Sequence, residues 1–246
     1  MTTLAYKQFS RRHLPHVNPP GRTLFVTYRL VGSIPQSVLR YYKTKNEWLQ
    51  KEFSRFRKSA TYDKLQLVAS AEIQKRLEQI ESFQREWLVK FEETLDQARS
   101  GPTWLKQDKV AAVVAKQLHD LDGEAYSLGA YCVMSNHVHV VFTPFLSEGS
   151  LREVFDETGH LVFLSEYPGL SEIMHRLKGR SARECNIVLS RTGQFWEHES
   201  FDHVVRAGKL ISTVKYVLNN PVKAGLVEDW RQWRWSYCRK KLYDKL

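Results

Sequence analysis

Hydrophobic and polar positions change their spacing several times along the chain, and each change marks a predicted element. The stretch TLFVTYRL, from Thr23 to Leu30, is rich in β-branched and aromatic residues, which predicts a strand. Between about 36 and 107 the apolar positions recur at helical spacing with many charged pairs four residues apart, which predicts a long helical insertion. The next segment, DKVAAVVAKQLHDL, predicts a short amphipathic helix with Asp108 as its N-cap.

The second half of the chain alternates short strands with amphipathic helices. AYSLGAYCVM and HVHVVFTP predict a β-hairpin that turns at Ser135 and Asn136. SEIMHRLKGRSARECNIVL predicts a helix, FWEHESFDHVVR leads into a short strand, and GKLISTVKYVLNN predicts a last helix that Pro221 ends. This order favours one α+β domain over residues 1–246, an antiparallel sheet backed by helices.

Composition restricts the class of protein. Hydrophobic residues make up 42% of the 246, which is enough for a sizeable core and argues against disorder. No apolar run approaches the roughly 18 residues of a membrane span, and the N-terminus has no signal-peptide core, so we expect a cytoplasmic protein. The three cysteines are far apart and odd in number, which predicts neither a disulfide framework nor a zinc knuckle.

The charge balance points to a polyanionic partner. The formal net charge is +10, and basic residues concentrate in two segments. The C-terminal tail, about 231–246, interleaves six basic residues with tryptophans and tyrosines, which suits a single strand of nucleic acid; an aromatic edge packed on the core is an equal alternative. Candidate DNA contacts, each with a solvated surface position as the alternative, are Lys178, Arg180, Arg183, Arg239, Lys240 and Lys241.

Two histidines interrupt the valines of the predicted hairpin. Side chains alternate along a strand, so His137 and His139 share one face while Val138 and Val140 line the other. Two imidazoles on one face can hold one cation or one phosphate. They can equally be half-buried side chains that satisfy each other's hydrogen bonds, and the strand alone leaves both interpretations open.

The last predicted helix carries a tyrosine on its polar side. With about 100° per residue, Leu210, Val214 and Val217 belong to one apolar stripe, whereas Tyr216 and Asn220 lie opposite to it, one turn apart. An exposed tyrosine beside an asparagine that ends a helix is the plain alternative. Taken with the histidines, two imidazoles and an amide oxygen would form a three-ligand divalent site, with a phenol next to a bound phosphate.

Several of these segments resemble one known family. LFVTYRL, GPTWL, AYCVMSNHVHVVFTP, LKGRSARECN, GQFWEHESFDHVVR and YVLNNPVKAGLV are similar to segments of the single-tyrosine HUH transposases, and within them of the REP-associated tyrosine transposases of bacteria. The resemblance implies Tyr216 as nucleophile, and His137, His139 and Asn220 as ligands of Mg²⁺ or Mn²⁺. Ser135 stands where many relatives have proline, a change in the turn that leaves this chemistry intact.

The resemblance also implies a fold, an activity and a location. It implies a ferredoxin-like or RRM-like sheet with helices on one face, in a bacterial, nucleoid-associated protein. The implied activity is cleavage and transfer of single-stranded DNA at hairpin-forming repeats through a 5′-phosphotyrosine, by a homodimer or a single chain. The alternative is a non-catalytic, domesticated DNA-binding regulator, which would have no need of both histidines, Tyr216 and Asn220 together.

Overall fold

The computed structural model divides the chain into two units, one of residues 1–31 with 102–246 and one of residues 32–101. Residues whose structure is described are 9–11, 15–17, 21–59, 66–145, 151–155, 161–165 and 169–246. Within these ranges no helix is long and apolar enough to span a membrane.

The first unit contains a five-stranded sheet and two small antiparallel ladders. Its strands are β1 (Phe9–Arg11), β2 (Pro15–Val17), β3 (Leu24–Arg29), β4 (Tyr126–Val133), β5 (His137–Pro144), β6 (Leu151–Phe155), β7 (Leu161–Ser165), β8 (Phe201–Val204) and β9 (Ser236–Cys238). Its helices are α3 (Asp108–Asp120), α4 (Leu170–Val188), α5 (Leu210–Leu218), α6 (Asn220–Lys223) and α7 (Lys240–Tyr243). The second unit consists of α1 (Gln36–Ser59) and α2 (Gln66–Gln97).

The sheet has the strand order β8-β3-β5-β4-β9, and every neighbouring pair is antiparallel. Without β9, this is the order fourth, first, third, second, with α3 after the first strand and α4 before the fourth. That arrangement is the ferredoxin-like βαββαβ topology. The predicted α+β class is therefore confirmed, with β9 as an additional edge strand.

One face of the sheet packs against α3 and α4. Val26 and Tyr28 of β3 and Val138 and Val140 of β5 are buried there in the main hydrophobic core, together with Val114 of α3. The alternation of side chains along a strand sends the intervening residues, including both histidines, to the opposite face.

The opposite face is covered by α5, which the expectation of helices on one face did not include. Phe25, Cys132 and Val141 lie on this face and form a second cluster with Val217 of α5. The sheet is thus apolar on both faces, and such a sheet needs a cover on each side. A helix packed on this second face brings Tyr216 to the histidines.

The start of α3 differs from the sequence prediction. Asp108 was predicted as the N-cap, but the cap position is Gln107 and Asp108 is the first helical residue. Its carboxylate accepts a hydrogen bond from the indole N–H of Trp235 at 2.9 Å and forms an ion pair with Arg234. The N-cap prediction was wrong because the carboxylate is engaged by the C-terminal segment.

The C-terminal segment is part of the sheet. β9 pairs with β4, and the indole N–H of Trp233 donates to the carbonyl oxygen of Val133 at 3.0 Å. The guanidinium of Arg239 donates to the carbonyl of Leu128 and forms a two-oxygen ion pair with Asp122 at 2.6 and 2.8 Å. The aromatic part of this segment therefore anchors the chain end to the fold.

In the second unit, α1 and α2 form a helical hairpin. Tyr42 of α1 is buried and stacks on Trp87 of α2, with ring centroids 4.2 Å apart. The ends of the unit meet at two glycines: a Cβ on Gly101 would lie 2.4 Å from the carbonyl oxygen of Gly32, and the φ of Gly101 is +70°. Only glycine accommodates both the backbone conformation and this close approach.

Candidate functional site

The two histidines of β5 form the centre of a chain of hydrogen bonds. Nε2 of His137 lies 3.0 Å from Nε2 of His139, and both side chains are completely buried. Nδ1 of His137 lies 2.7 Å from Oδ1 of Asn136, and Nδ1 of His139 lies 2.8 Å from Oγ1 of Thr27. Both ring nitrogens of each imidazole therefore have a partner, and the orientation of both rings is fixed.

The hydrogen-bond partners of the two imidazoles determine which ring nitrogens carry protons. The amide oxygen of Asn136 can only accept, so Nδ1 of His137 carries a proton and its Nε2 presents a lone pair. Nε2 of His139 then donates to that lone pair, and Nδ1 of His139 accepts from the hydroxyl of Thr27. Each neutral imidazole has one donor and one acceptor, which this arrangement uses fully.

Burial keeps both imidazoles neutral. It is the largest cause that lowers the pKa of His137 well below its usual value and that of His139 to about 3. The second cause for His137 is the neighbouring imidazole, and the ammonium of Lys223 lowers the pKa of both rings further. A neutral imidazole is the form that binds a metal ion.

The spacing of the two Nε2 atoms suits a shared metal ion. Nε2 of His137 and Nε2 of His139 are 3.0 Å apart, near enough for both nitrogens to contact one ion. His137 already presents its lone pair. His139 needs to move its proton to Nδ1, where the hydroxyl of Thr27 can accept as well as donate. Both rings could therefore offer Nε2 as a ligand atom, and these residues fit a shared divalent ion.

The tyrosine of α5 faces the same group. Tyr216 is half-buried, and its ring centroid lies 6.1 Å from that of His139 in an edge-on contact. A second edge-on contact, with centroids 5.9 Å apart, joins it to Phe25, which also stacks on His139. The structure thus brings Tyr216 and the two histidines together on one face of the sheet.

Asn220 begins α6, directly after α5 ends. Its Nδ2 donates to the carbonyl oxygens of Tyr216 at 2.9 Å and Val217 at 3.4 Å, in the last turn of α5. Its Oδ1 is buried, and among the described residues it has no hydrogen-bond partner. A buried oxygen without a partner is costly unless a ligand or water meets it, which is consistent with the predicted role of Asn220 as a third ligand.

Three polar residues around this site were not predicted from the sequence to belong to it. Thr27 and Asn136 orient the imidazoles, and Lys223 brings a positive charge near them. Asn136 directly precedes His137 in MSNHVH, so its place beside the histidines could have been inferred from the sequence. Thr27 is visible only through the pairing of β3 with β5, where it stands directly opposite His139.

The basic residues of α4 have different environments. The ammonium of Lys178 donates to the carbonyl oxygens of Glu197 and His198, which fixes the segment that follows α4. Arg180 and Arg183 are exposed. Contact of these three with DNA stays a prediction, and the two arginines are the more accessible candidates.

Among the basic residues of the C-terminus, one is engaged within the fold and two are exposed. Arg239 is engaged with Asp122 and with the backbone of β4. Lys240 and Lys241 are exposed in α7. Their contact with DNA also stays a prediction, with the two lysines at the surface and Arg239 holding the chain that carries them.

A cleft of about 400 Å³ lies elsewhere in the first unit, between α4 and residues 193–202. Asp202 lines this cleft and pairs with Val26, whose side chain belongs to the core under α3 and α4. Because paired residues share a face, the cleft is on the opposite side of the sheet from the histidines.

Comparison with known proteins gives one similarity. The chain matches no family model and no curated protein. Among solved structures it is similar to a REP-associated tyrosine transposase bound to a REP hairpin, with a TM-score of 0.43 and 13% sequence identity over 92% of this chain and 82% of that chain.

Proposed function

We propose that the protein is a metal-dependent endonuclease and strand transferase that acts on single-stranded DNA at hairpin-forming repeats. The observation that carries the proposal is the position of Tyr216 beside a buried, neutral pair of imidazoles whose Nε2 atoms are 3.0 Å apart. The sequence resemblance to the REP-associated tyrosine transposases supplies the substrate class. A basic chain of net charge +10 agrees with a nucleic-acid substrate.

The proposed reaction is a transesterification at one phosphodiester. The phenol oxygen of Tyr216 attacks phosphorus, the bond from phosphorus to the 3′ oxygen breaks, and the phenol proton ends on that oxygen as a 3′-OH. The product is a 5′-phosphotyrosine, which keeps one phosphoester bond for each one broken. A 3′-OH of another strand can reverse the step, so strand transfer needs no other source of energy.

The residues around the phenol have distinct proposed tasks. His137, His139 and Asn220, whose Oδ1 has no hydrogen-bond partner among the described residues, would hold a divalent ion, Mg²⁺ or Mn²⁺, which supplies positive charge to the phosphate when it is bound. Thr27 and Asn136 keep both rings in the orientation that this requires.

A covalent adduct is the direct test. A labelled single-stranded hairpin oligonucleotide incubated with the protein and Mn²⁺ should stay attached to it in a denaturing gel. Tyr216→Phe keeps the ring that packs on Phe25 and removes only the hydroxyl, so the adduct should disappear while folding and DNA binding persist. The matched control is Tyr237→Phe, a half-buried tyrosine on β9, which should form the adduct normally.

The same gel separates the two candidate functions. An adduct that survives in Tyr216→Phe would assign the chemistry to another tyrosine and contradict the proposed site. Tight hairpin binding with no adduct in the unchanged protein, with either metal, would favour the non-catalytic DNA-binding regulator.

A further inference from the structure

The helical hairpin of the second unit has an aromatic and basic surface that its own packing does not explain. Tyr41 and Trp48 of α1 are 60% and 53% exposed, whereas the adjacent Tyr42 is buried against Trp87. Large exposed aromatic side chains are uncommon because they leave apolar surface in water. Tyr42 and Trp87 thus form part of the core of the hairpin, whereas the exposed rings of Tyr41 and Trp48 can contact a partner.

The two rings belong to one stripe with a lysine between them. Tyr41, Lys45 and Trp48 are spaced by four and three residues, which places them on one face of α1, here named the α1 stripe. The ammonium of Lys45 lies 4.5 Å from the ring centroid of Trp48, and that of Lys90 of α2 lies 5.9 Å from the ring centroid of Tyr41. Each ring of the stripe thus has a cation beside it.

The charge around the stripe favours an anionic partner. α1 contains seven basic and two acidic residues, whereas α2 contains four basic and seven acidic residues. The positive charge is therefore concentrated on the helix that carries the exposed rings. Flat rings flanked by cations are the combination that binds single-stranded nucleic acid, because bases stack on the rings while the cations meet phosphates.

The dimensions of the stripe agree with such a strand. Tyr41 and Trp48 are seven residues apart, which corresponds to about 10 Å along a helix with a rise of 1.5 Å per residue. Stacked nucleotides advance about 3.4 Å each, so the two rings span about three nucleotides of one strand. A duplex has its bases already stacked and paired, and it would present only phosphates to this surface.

We propose that the α1 stripe is a binding surface for single-stranded DNA, with bases stacked on Tyr41 and Trp48 and phosphates next to Lys45 and Lys90. The choice of DNA as the nucleic acid rests on the proposed function. The stacking surface does not depend on the chemistry at Tyr216, since it lies on a different unit of the chain.

The test measures binding in the absence of any covalent step. All variants are made in full-length Tyr216→Phe protein, and the probe is a fluorescently labelled short oligothymidylate, which has no hairpin. Tyr41→Leu combined with Trp48→Leu removes both rings but retains apolar side chains that favour helix. Since stacking contributes about 1 to 3 kcal/mol per base, we expect affinity to fall by at least tenfold.

Two further variants distinguish stacking from charge and from general damage. Val89→Ala removes an apolar side chain that is 56% exposed on α2 and should leave affinity unchanged. Lys45→Gln should make log affinity against log salt shallower by roughly 0.7, the contribution of one phosphate contact on a single strand. Circular dichroism of each variant at the helical minimum establishes that the hairpin remains folded.

Three results would contradict the proposal that the α1 stripe binds single-stranded DNA. One is unchanged oligothymidylate affinity in the folded double variant. Another is equal affinity of the parent for a blunt duplex of the same length, since paired bases cannot stack on the rings. The third is a loss of affinity in Lys45→Gln that the variant without the two rings does not show. Failure of the proposed chemistry would be seen in a different experiment, as the lack of a covalent adduct in protein that retains Tyr216.

Discussion

Acidification should destabilise this protein through its two buried histidines. In the folded chain, burial holds the pKa of His139 at about 3 and that of His137 well below its usual value. In the unfolded chain both rings titrate near 6.5. Below that pH the unfolded state binds more protons than the folded state, so stability present above pH 6.5 is lost as the pH falls towards the folded pKa values.

The size of the effect follows from proton linkage. Between the folded and unfolded pKa values of His139 the stability changes by roughly 1 to 1.5 kcal/mol per pH unit, and integration from neutral pH to pH 5 gives about 2 kcal/mol for this ring. His139 alone therefore accounts for about 2 kcal/mol and His137 adds to the loss in the same direction, whereas the total stability of a typical domain is about 5 to 15 kcal/mol. The ammonium of Lys223 acts in the same direction, because it disfavours a second positive charge nearby.

Urea unfolding at about pH 7.5 and pH 5, in buffer with a chelator, measures this difference. His139→Gln keeps a neutral side chain that can donate and accept, and it should reduce the difference in stability between the two pH values by about 2 kcal/mol. Val140→Ala is the control, because it removes buried apolar surface from the adjacent position of the same strand without a titrating group. It should lower stability at both pH values by similar amounts.

The reasoning is refuted if His139→Gln shows the same loss on acidification as the unchanged protein. That outcome would mean that the imidazole of His139 takes up its proton in the folded state. A metal site built on two neutral rings would then lose its basis as well.

Two other predictions follow from the ligand set and from the C-terminus. Calorimetric titration of Mn²⁺ should show about one site, and Asn220→Ala should weaken its affinity for Mn²⁺ by roughly 10- to 100-fold. The control is Asn219→Ala, which changes an exposed neighbour and should leave the affinity unchanged. Equal affinity of the two variants would remove Asn220 from the ligand set. Replacing Lys240 and Lys241 together with glutamine should make the salt dependence of hairpin binding shallower by roughly 1.4 in log units, and an unaltered slope would place DNA elsewhere. These substitutions keep Arg239, whose loss would also release β4 and Asp122.

The histidine pair was predictable because its geometry is local. Alternation along one strand places His137 and His139 on the same face, and the Ser-Asn turn fixes the hairpin that contains them. The sequence left open whether the rings bind an ion or each other. The structure has them within hydrogen-bond distance and neutral, an arrangement that is compatible with both interpretations.

The face of the sheet that α5 covers was not predictable from periodicity. The apolar stripe of α5 indicates which side of the helix is buried, but both faces of the sheet are apolar and either could receive it. The role of the C-terminal aromatics was open for a similar reason. The acceptors of Trp233 and Trp235 are the carbonyl of Val133 and the carboxylate of Asp108, both about a hundred or more residues away.

The proposed ligand Asn220 also bonds to the backbone, and this second task restricts which residue type can stand at its position. A carboxylate would be a stronger ligand for a divalent ion, but it has no donors, and it would meet the carbonyl oxygens of Tyr216 and Val217 with repulsion. An amide can donate to these carbonyls and still present one oxygen. The same side chain thus bonds to the end of α5, and among the described residues its Oδ1 has no hydrogen-bond partner, so an ion bound at this oxygen would also fix the backbone that carries the proposed nucleophile.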